Sequence, residues 1–127
     1  MQEVIPSEYR SWWRIIDTSQ WVNDRLDILG PAMISLTGYD DRLRMHALLA
    51  HVNCRPTKSG VSFTREGAWE FDPMSGSGRV TLRKDGRLRG VIRIEDGDSS
   101  TFIAERAVEP DAPIPDAPSY RDKWRKR

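Results

Sequence analysis

The stretch 61–107 constrains the fold most, because it consists of short alternating runs separated by turn residues. Within 79–83, Val80 and Leu82 point to one side of an extended chain, and the charged or polar residues point to the other. Residues 87–94 repeat the pattern. Side chains alternate across a strand, so this stretch predicts a sheet with one buried face and one solvated face.

Turn chemistry defines how these runs connect. Asp85-Gly86 lies between two runs and predicts a type I′ hairpin, in which both central residues have positive φ. Gly97-Asp98 predicts a second hairpin. Gly90 lies within a run, where a sheet bends sharply or another backbone approaches. The stretch therefore predicts four antiparallel strands, each paired with the next.

Residues 72–78 contain a proline and two glycines and predict a longer connection between the first two strands. The segment Ser75-Gly76-Ser77-Gly78 is glycine-rich, but no Lys-Ser/Thr pair follows it. It is therefore not a P-loop, and a backbone nest for an anion is the weaker alternative.

The same stretch resembles a family of small, uncharacterised bacterial proteins that share the pattern ExDxxSGxG…DGxLxGxI…GDxSxFxA. The matching residues are Val61, Phe63, Gly67, Glu70, Asp72, Ser75, Gly76, Gly78, Leu82, Asp85, Gly86, Leu88, Gly90, Ile92, Gly97, Asp98, Ser100, Phe102 and Ala104. The resemblance supports a β-meander and implies no activity.

Upstream of this stretch, the sequence predicts two more strands. Ala32, Ile34 and Leu36 alternate with polar or flexible residues, which predicts a strand that ends at Gly38. Residues 41–54 contain good helix formers, so a helix is the alternative there. The short connections on either side favour one long strand, which brings the expected number of strands to about six.

The N-terminal segment carries a helical pattern. Ser7 can cap a helix, and Tyr9, Trp12, Trp13 and Ile16 then follow at the spacing of one helical face. We predict a short N-terminal helix that plugs or covers the sheet. The alternative is an aromatic cage or partner-binding face, in which Trp12 and Trp13 bind a ligand.

The predicted fold is mainly β: an antiparallel up-and-down meander that closes into a small barrel or a curled half-barrel, with a short N-terminal helix. We place this domain at 1–108 and a flexible, proline-rich tail at 109–127, because 108–118 contains four prolines and too little apolar surface to pack. The basic end of the tail predicts a partner-docking motif, with a solvated terminus as the alternative. Its proposed contact residues are Tyr120, Trp124, Arg125 and Arg127.

Composition excludes several classes of function. The chain has 127 residues, enough for one domain, and its net charge of +1 argues against a general nucleic-acid or membrane-surface binder. The apolar runs are too short to span a membrane. A single cysteine, Cys54, cannot form an internal disulfide. These features favour the bacterial cytoplasm.

Few residue patterns suggest chemistry. His46 and His51 are five residues apart and face opposite sides of a strand, so they form no metal pair. No motif predicts a metal or another cofactor. Arg55 lies beside Cys54 and would favour its thiolate, which makes a Cys–His pair conceivable. Because His51 and Cys54 face opposite sides of a strand, we favour an idle, buried cysteine.

Glu70 and Asp72 are the candidate acid–base pair, with Arg55 as the electrophile of a small enzyme. Trp69 precedes them and joins Arg55 among the candidate ligand-binding residues. We favour a structural role for both carboxylates in turns. A basic outer face, interpreted as solvated, is formed by Arg79, Arg83, Arg87, Arg89 and Arg93.

The function that these features favour is a non-catalytic binding module. Its partner would be an unidentified protein or a small ligand. The alternatives are the small enzyme and a barrel that binds a small ligand inside.

Overall fold

The protein is described by a computed structural model that covers residues 4–20, 23–69, 72–94 and 99–115, without the side chains of 72–74 and 94. Strands in these ranges form one closed barrel, in which each strand pairs antiparallel with the next and the last pairs with the first. The strands are β1 (Trp12–Thr18), β2 (Met33–Ser35), β3 (Asp41–Met45), β4 (Leu48–Thr57), β5 (Gly60–Trp69), β6 (Asp72–Leu82), β7 (Leu88–Ile94) and β8 (Ser99–Ala107).

The predicted meander is confirmed, since β5 to β8 follow one another in sequence and in space. Leu82 pairs with Leu88 around the predicted first hairpin. Its turn differs from type I′, because Gly86 has a φ of +86° whereas Asp85 is not in the positive-φ region. The Gly86 N–H donates to the carbonyl of Arg83 at 3.1 Å, so a type I turn is followed by a left-handed glycine.

The second hairpin, at Gly97-Asp98, lies outside the described residues. The pairing of β7 with β8 up to Arg93 and Ser99 agrees with it.

The predicted loop at 72–78 is wrong, because these residues lie in the long strand β6. Its glycines face large side chains rather than forming a turn or an anion nest. A Cβ on Gly78 would lie 2.3 Å from the ring of Phe63, and one on Gly76 would lie 2.9 Å from Nη2 of Arg65. The glycines therefore leave room inside the barrel for the side chains of the neighbouring strand.

The predicted N-terminal helix is also wrong. Residues 7–9 form a turn, and β1 follows, with Trp13 and Ile15 fully buried and Arg14 on the opposite face. Aromatic and β-branched residues satisfied the helical spacing by chance while also alternating with period two. The strand closes the barrel by pairing with both β2 and β8.

Helical structure in the described ranges is limited to the 3₁₀ turn Asn23–Arg25. No helix there has the length and apolarity needed to cross a membrane.

Residues 41–54 form two strands rather than one long strand. The chain reverses after Met45, where His46 adopts a φ of +54°, and β4 then pairs back along β3. No glycine, proline or asparagine marks this turn. This reversal, together with β1, brings the six expected strands to the eight that are described.

Apolar side chains from all eight strands fill the barrel interior. Phe63, Leu88, Ile92 and Phe102 are buried as predicted, whereas Leu82 is only partly buried against the same cluster. Trp13 is fully buried among them, and its indole N–H donates to the carbonyl of Tyr9 at 3.0 Å. The described interior is therefore a packed core.

The expectation that 108–118 cannot pack is wrong at one position. Ile114 is 2% exposed and packs on the outside of the barrel against Met33 and Leu49. The proposed domain boundary at residue 108 and the flexibility of 109–127 stay predictions, and residues 116–127 lie outside the description.

Candidate functional site

A groove of about 730 Å³ crosses the outer face of the sheet from β4 to β8. Two rows of paired residues form it, because directly opposed residues on neighbouring strands share a face. One row runs Arg55, Ser62, Arg79 and Val91, and the other runs Asn53, Thr64, Ser77, Arg93 and Ser99. We call this site the arginine groove, after Arg55, Arg79 and Arg93.

The strand register sets the spacing of the three arginines. Arg55 and Arg79 both oppose Ser62, so their Cα atoms are separated by two strand spacings, about 10 Å. Arg79 and Arg93 are diagonal neighbours on β6 and β7, at about 7–8 Å. All three side chains are exposed, so the groove concentrates positive charge that is accessible to solvent.

In the described part of the chain, the side chains of Arg55, Arg79 and Arg93 make no hydrogen bond or ion pair, and no carboxylate lines the groove. Other arginines do have carboxylate partners. The pairs are Arg14–Asp27, Arg42–Asp40, Arg83–Asp85 and Arg87–Glu105. The basic outer face expected from the sequence is therefore divided. Near the hairpin, Arg83 and Arg87 form ion pairs with Asp85 and Glu105. Arg79 and Arg93 instead line the groove together with Arg55.

A fourth cation lies behind the groove, inside the barrel. Arg65 is 1% exposed, and its Nη2 donates to the main-chain carbonyl of Arg93 at 3.2 Å. Its Nε and Nη1 atoms have no hydrogen-bond partner among the described residues. Burial lowers the pKa of this guanidinium. Because an arginine stays charged in proteins, Arg65 adds buried positive charge beneath the groove.

Comparison with known proteins found no matching family model, curated protein or solved structure. The resemblance to the small bacterial family stays a prediction, and the site must be interpreted from its own geometry.

The four residues predicted to bind a ligand do not come together. Trp12 and Trp13 are consecutive in β1 and point to opposite faces, so they form no aromatic cage. Trp69 stacks on His46, with ring centroids 6.0 Å apart, and packs against the core. Arg55 alone of the four lines the arginine groove.

Cys54 is held as a protonated thiol. It lies on the inner side of β4, and its Sγ donates to the Asp41 carboxylate at 3.4 Å. That carboxylate also accepts from Ser35 Oγ at 2.9 Å and from the Gly38 N–H at 2.7 Å. Burial, followed by the charge of Asp41, raises the pKa of the thiol.

This environment corrects the expectation that Arg55 favours the Cys54 thiolate. Arg55 is exposed on the outer face, as is His51, whereas Cys54 faces inward. The geometry of the described residues therefore offers no Cys–His pair, and it supports an idle cysteine that is partly buried against the core.

The remaining candidates stay predictions. Glu70 lies outside the described residues, and only the backbone of Asp72 is described, as the first residue of β6. The tail residues are also outside the description. They are Tyr120, Trp124, Arg125 and Arg127.

Sequence reasoning named Arg55 as a ligand-binding candidate and placed Arg79 and Arg93 on a solvated face, but it missed that the three come together beside Ser62 and Ser77. The sequence pattern that could have predicted this part of the groove is the alternation of serine with glycine at 75–78. In a strand, this alternation places Ser75 and Ser77 on the outer face and the glycines inside. Once 72–82 is taken as a strand, Ser77 and Arg79 belong to the same polar face.

Proposed function

We propose that this protein is a non-catalytic binding module whose ligand is negatively charged and occupies the arginine groove. The observation that carries the proposal is the set of guanidinium groups at Arg55, Arg79 and Arg93, which have no hydrogen-bond or ion-pair partner among the described residues and line a groove to which no described carboxylate contributes. Like charges at this spacing repel one another, and an anion that bridges them removes that repulsion.

The chemistry of the lining favours phosphate or carboxylate groups. A guanidinium presents a planar fork of N–H donors that matches these anions in bidentate geometry. Ser62, Ser77 and Ser99 add neutral hydrogen-bonding groups along the same rows. The groove volume of about 730 Å³ lies within the range of small-molecule sites, roughly 300–1,000 Å³.

The lining also favours a small anionic ligand over single-stranded nucleic acid. Proteins that bind single strands combine positive charge with aromatic side chains on which bases stack. Among the described residues, the outward-facing side chains of the groove include no aromatic ring, because Phe63 belongs to the core. The net charge of +1 agrees with a local basic site rather than a basic protein.

The alternatives have less support. A ligand inside the barrel is less favoured, because apolar side chains of the described strands pack against one another there. An enzyme that uses Glu70 and Asp72 stays a prediction, because the side chains of both carboxylates lie outside the description.

The test is a titration of the protein with inorganic pyrophosphate at constant ionic strength, monitored by calorimetry and by backbone amide shifts. We expect saturable binding with shifts centred on Ser62, Ser77 and Arg93. Arg79→Gln or Arg93→Gln should weaken binding at least about tenfold, because a hydrogen bond to a charged group contributes roughly 1.5–3 kcal/mol.

Arg89→Gln is the matched control. Arg89 is exposed on β7 one row away from the groove and does not line it, so its loss changes the net charge equally. Equal weakening by Arg89→Gln would show that pyrophosphate responds to net charge alone. That result, or the absence of binding, would rule out the arginine groove as the site.

A further inference from the structure

A second surface lies on another part of the barrel. After β8, residues 108–115 bend at 111–112 and lie against the outer face of the barrel at Ile114, and we call this segment the strap. Most of the strap is exposed, including Val108 at 83%, and only Ile114 is buried. Among the side chains of the strap, Ile114 therefore makes the main apolar contact with the barrel.

The pocket that receives Ile114 is formed by the outer faces of several strands. Met33 and Leu49 are buried against it, and Trp12 and Ala107 pack partly around it. Arg42 Nη1 donates to the main-chain carbonyl of Ile114 at 3.1 Å. The pocket thus binds one apolar side chain and one main-chain carbonyl of the same residue. This combination is typical of sites that bind an extended peptide.

The sequence around Ile114 suits this mode of recognition. Pro113 and Pro115 flank it, and each proline locks its own φ near the value of an extended polyproline II segment. A segment that is already extended loses little conformational entropy when it binds.

The described residues of the strap contact only part of the neighbouring outer surface. A groove of about 680 Å³ lies alongside it, between the strap and residues that include Trp12, Thr37 and Tyr39. Tyr39 is 86% exposed at the edge of this groove. A longer peptide that contains the same Pro-Ile-Pro sequence would also contact this aromatic surface. Proline-rich ligands bind to aromatic surfaces of this kind.

We propose that this outer pocket is a docking site for a partner protein that presents an extended segment with an aliphatic residue between two prolines. The strap occupies the site in the resting protein and competes with the partner intramolecularly. This inference is independent of the arginine groove, which lies on the outer face of β4–β8.

The test uses the full chain and a fluorescent peptide with the sequence of residues 109–118. Ile114→Ser empties the pocket. The peptide should bind this variant and should bind the unaltered chain at least about tenfold more weakly, because the tethered strap has a high effective concentration. A peptide in which the isoleucine is replaced by serine is the matched control and should not bind.

Two further measurements keep the proposal falsifiable. If Ile114→Ser fails to fold, Ile114→Ala takes its place, and amide shifts of Met33 and Leu49 report on peptide added in excess to the unaltered chain. Equal binding of both peptides, or no binding to the emptied pocket, would overturn the proposal. So would a concentration-dependent dimer that Ile114→Ser abolishes, because the occupant would then be a second copy of this chain.

Discussion

The ring of Phe102 occupies the space that a side chain at Gly90 would need. These residues are directly opposed on β7 and β8, and a Cβ on Gly90 would lie 2.2 Å from two ring atoms. Phe63 and Gly78 repeat the arrangement on β5 and β6, where the Cβ would lie 2.3 Å from the ring. Two aromatic side chains of the core thus depend on glycines in the neighbouring strand.

The first prediction tests this dependence. Gly90→Ala should lower the free energy of unfolding by about 1–3 kcal/mol, as overpacking of a core does. Phe102→Ala should cost about 3–5 kcal/mol, because it leaves a cavity. Chemical denaturation would measure both.

A double-mutant cycle with Gly90→Ala and Phe102→Leu measures the coupling between these two residues. The three heavy atoms nearest to a Cβ at Gly90 all belong to Phe102, so Gly90→Ala and Phe102→Leu should couple. The double variant should be more stable than the sum of the two single changes predicts. Additive effects would show that the ring does not oppose a side chain at position 90.

The second prediction concerns His46, which is 5% exposed. Burial lowers the pKa of His46 below its ordinary value of 6.5, so the unfolded chain binds a proton more readily than the folded one. The free energy of unfolding should therefore fall as the pH drops from about 7.5 to 5.5, by at most about 1.4 kcal/mol per pH unit.

His46→Asn should remove this part of the pH dependence, because asparagine tolerates the left-handed backbone at this turn and does not titrate. His51→Asn is the control on an exposed histidine of β4. An unchanged pH profile in His46→Asn would assign the dependence to other groups.

The third prediction concerns Cys54, whose thiol is held by burial and by Asp41. Alkylation by iodoacetamide at pH 8 should be at least about tenfold slower in the folded protein than in denaturant, because only the thiolate reacts. Mass spectrometry after timed quenching measures the rate. Rapid modification of the folded chain would contradict the raised pKa.

The fourth prediction separates stability from binding at Arg65. Arg65→Met should raise the free energy of unfolding, by roughly 1–2 kcal/mol, since replacing a buried charge with an apolar side chain is often stabilising by about 1–4 kcal/mol. The same change should weaken pyrophosphate binding, because it removes the buried cation behind the arginine groove. A variant that is destabilised would show that the guanidinium is well satisfied.

The fifth prediction concerns the strap. Ending the chain after Val108 should lower the free energy of unfolding by about 1–3 kcal/mol, since burying an aliphatic side chain contributes about 1.5–3 kcal/mol. Ending it after Pro115 keeps Ile114 in its pocket and is the control. Equal thermal midpoints for the two truncations would show that Ile114 contributes little.

Local pattern alone determined β5, β7, β8, the second half of β6 and the position of the hairpin at Gly86, whereas it predicted a loop where the first half of β6 lies. Alternation with period two gives each residue a face, and a glycine with positive φ gives the turn its position. Burial of Phe63, Leu88, Ile92 and Phe102 followed from the same alternation. These features are local, because each depends on a few consecutive residues.

The sequence was ambiguous where two periods matched the same residues. Trp12, Trp13 and Ile16 satisfied a helical spacing, yet they lie in a strand that closes the barrel. At His46 the chain reverses without a residue that marks a turn. Tertiary structure decided both cases. The backbone N–H and C=O groups of β1 are paired with β2 and β8, and those of β3 are paired with β4 across the turn at His46.

The candidate site depended on tertiary structure even more. The sequence alone placed Arg79 and Arg93 on a basic face and Arg55 far away along the chain. Only the register across β4, β5, β6 and β7 brings the three together. Alternation along β5 places Arg65 on the opposite face, and closure of the barrel buries it there. A strand's own residues determine which side chains share a face. Which faces become neighbours is decided by pairing between distant segments, where a shift of one residue would reverse every side chain.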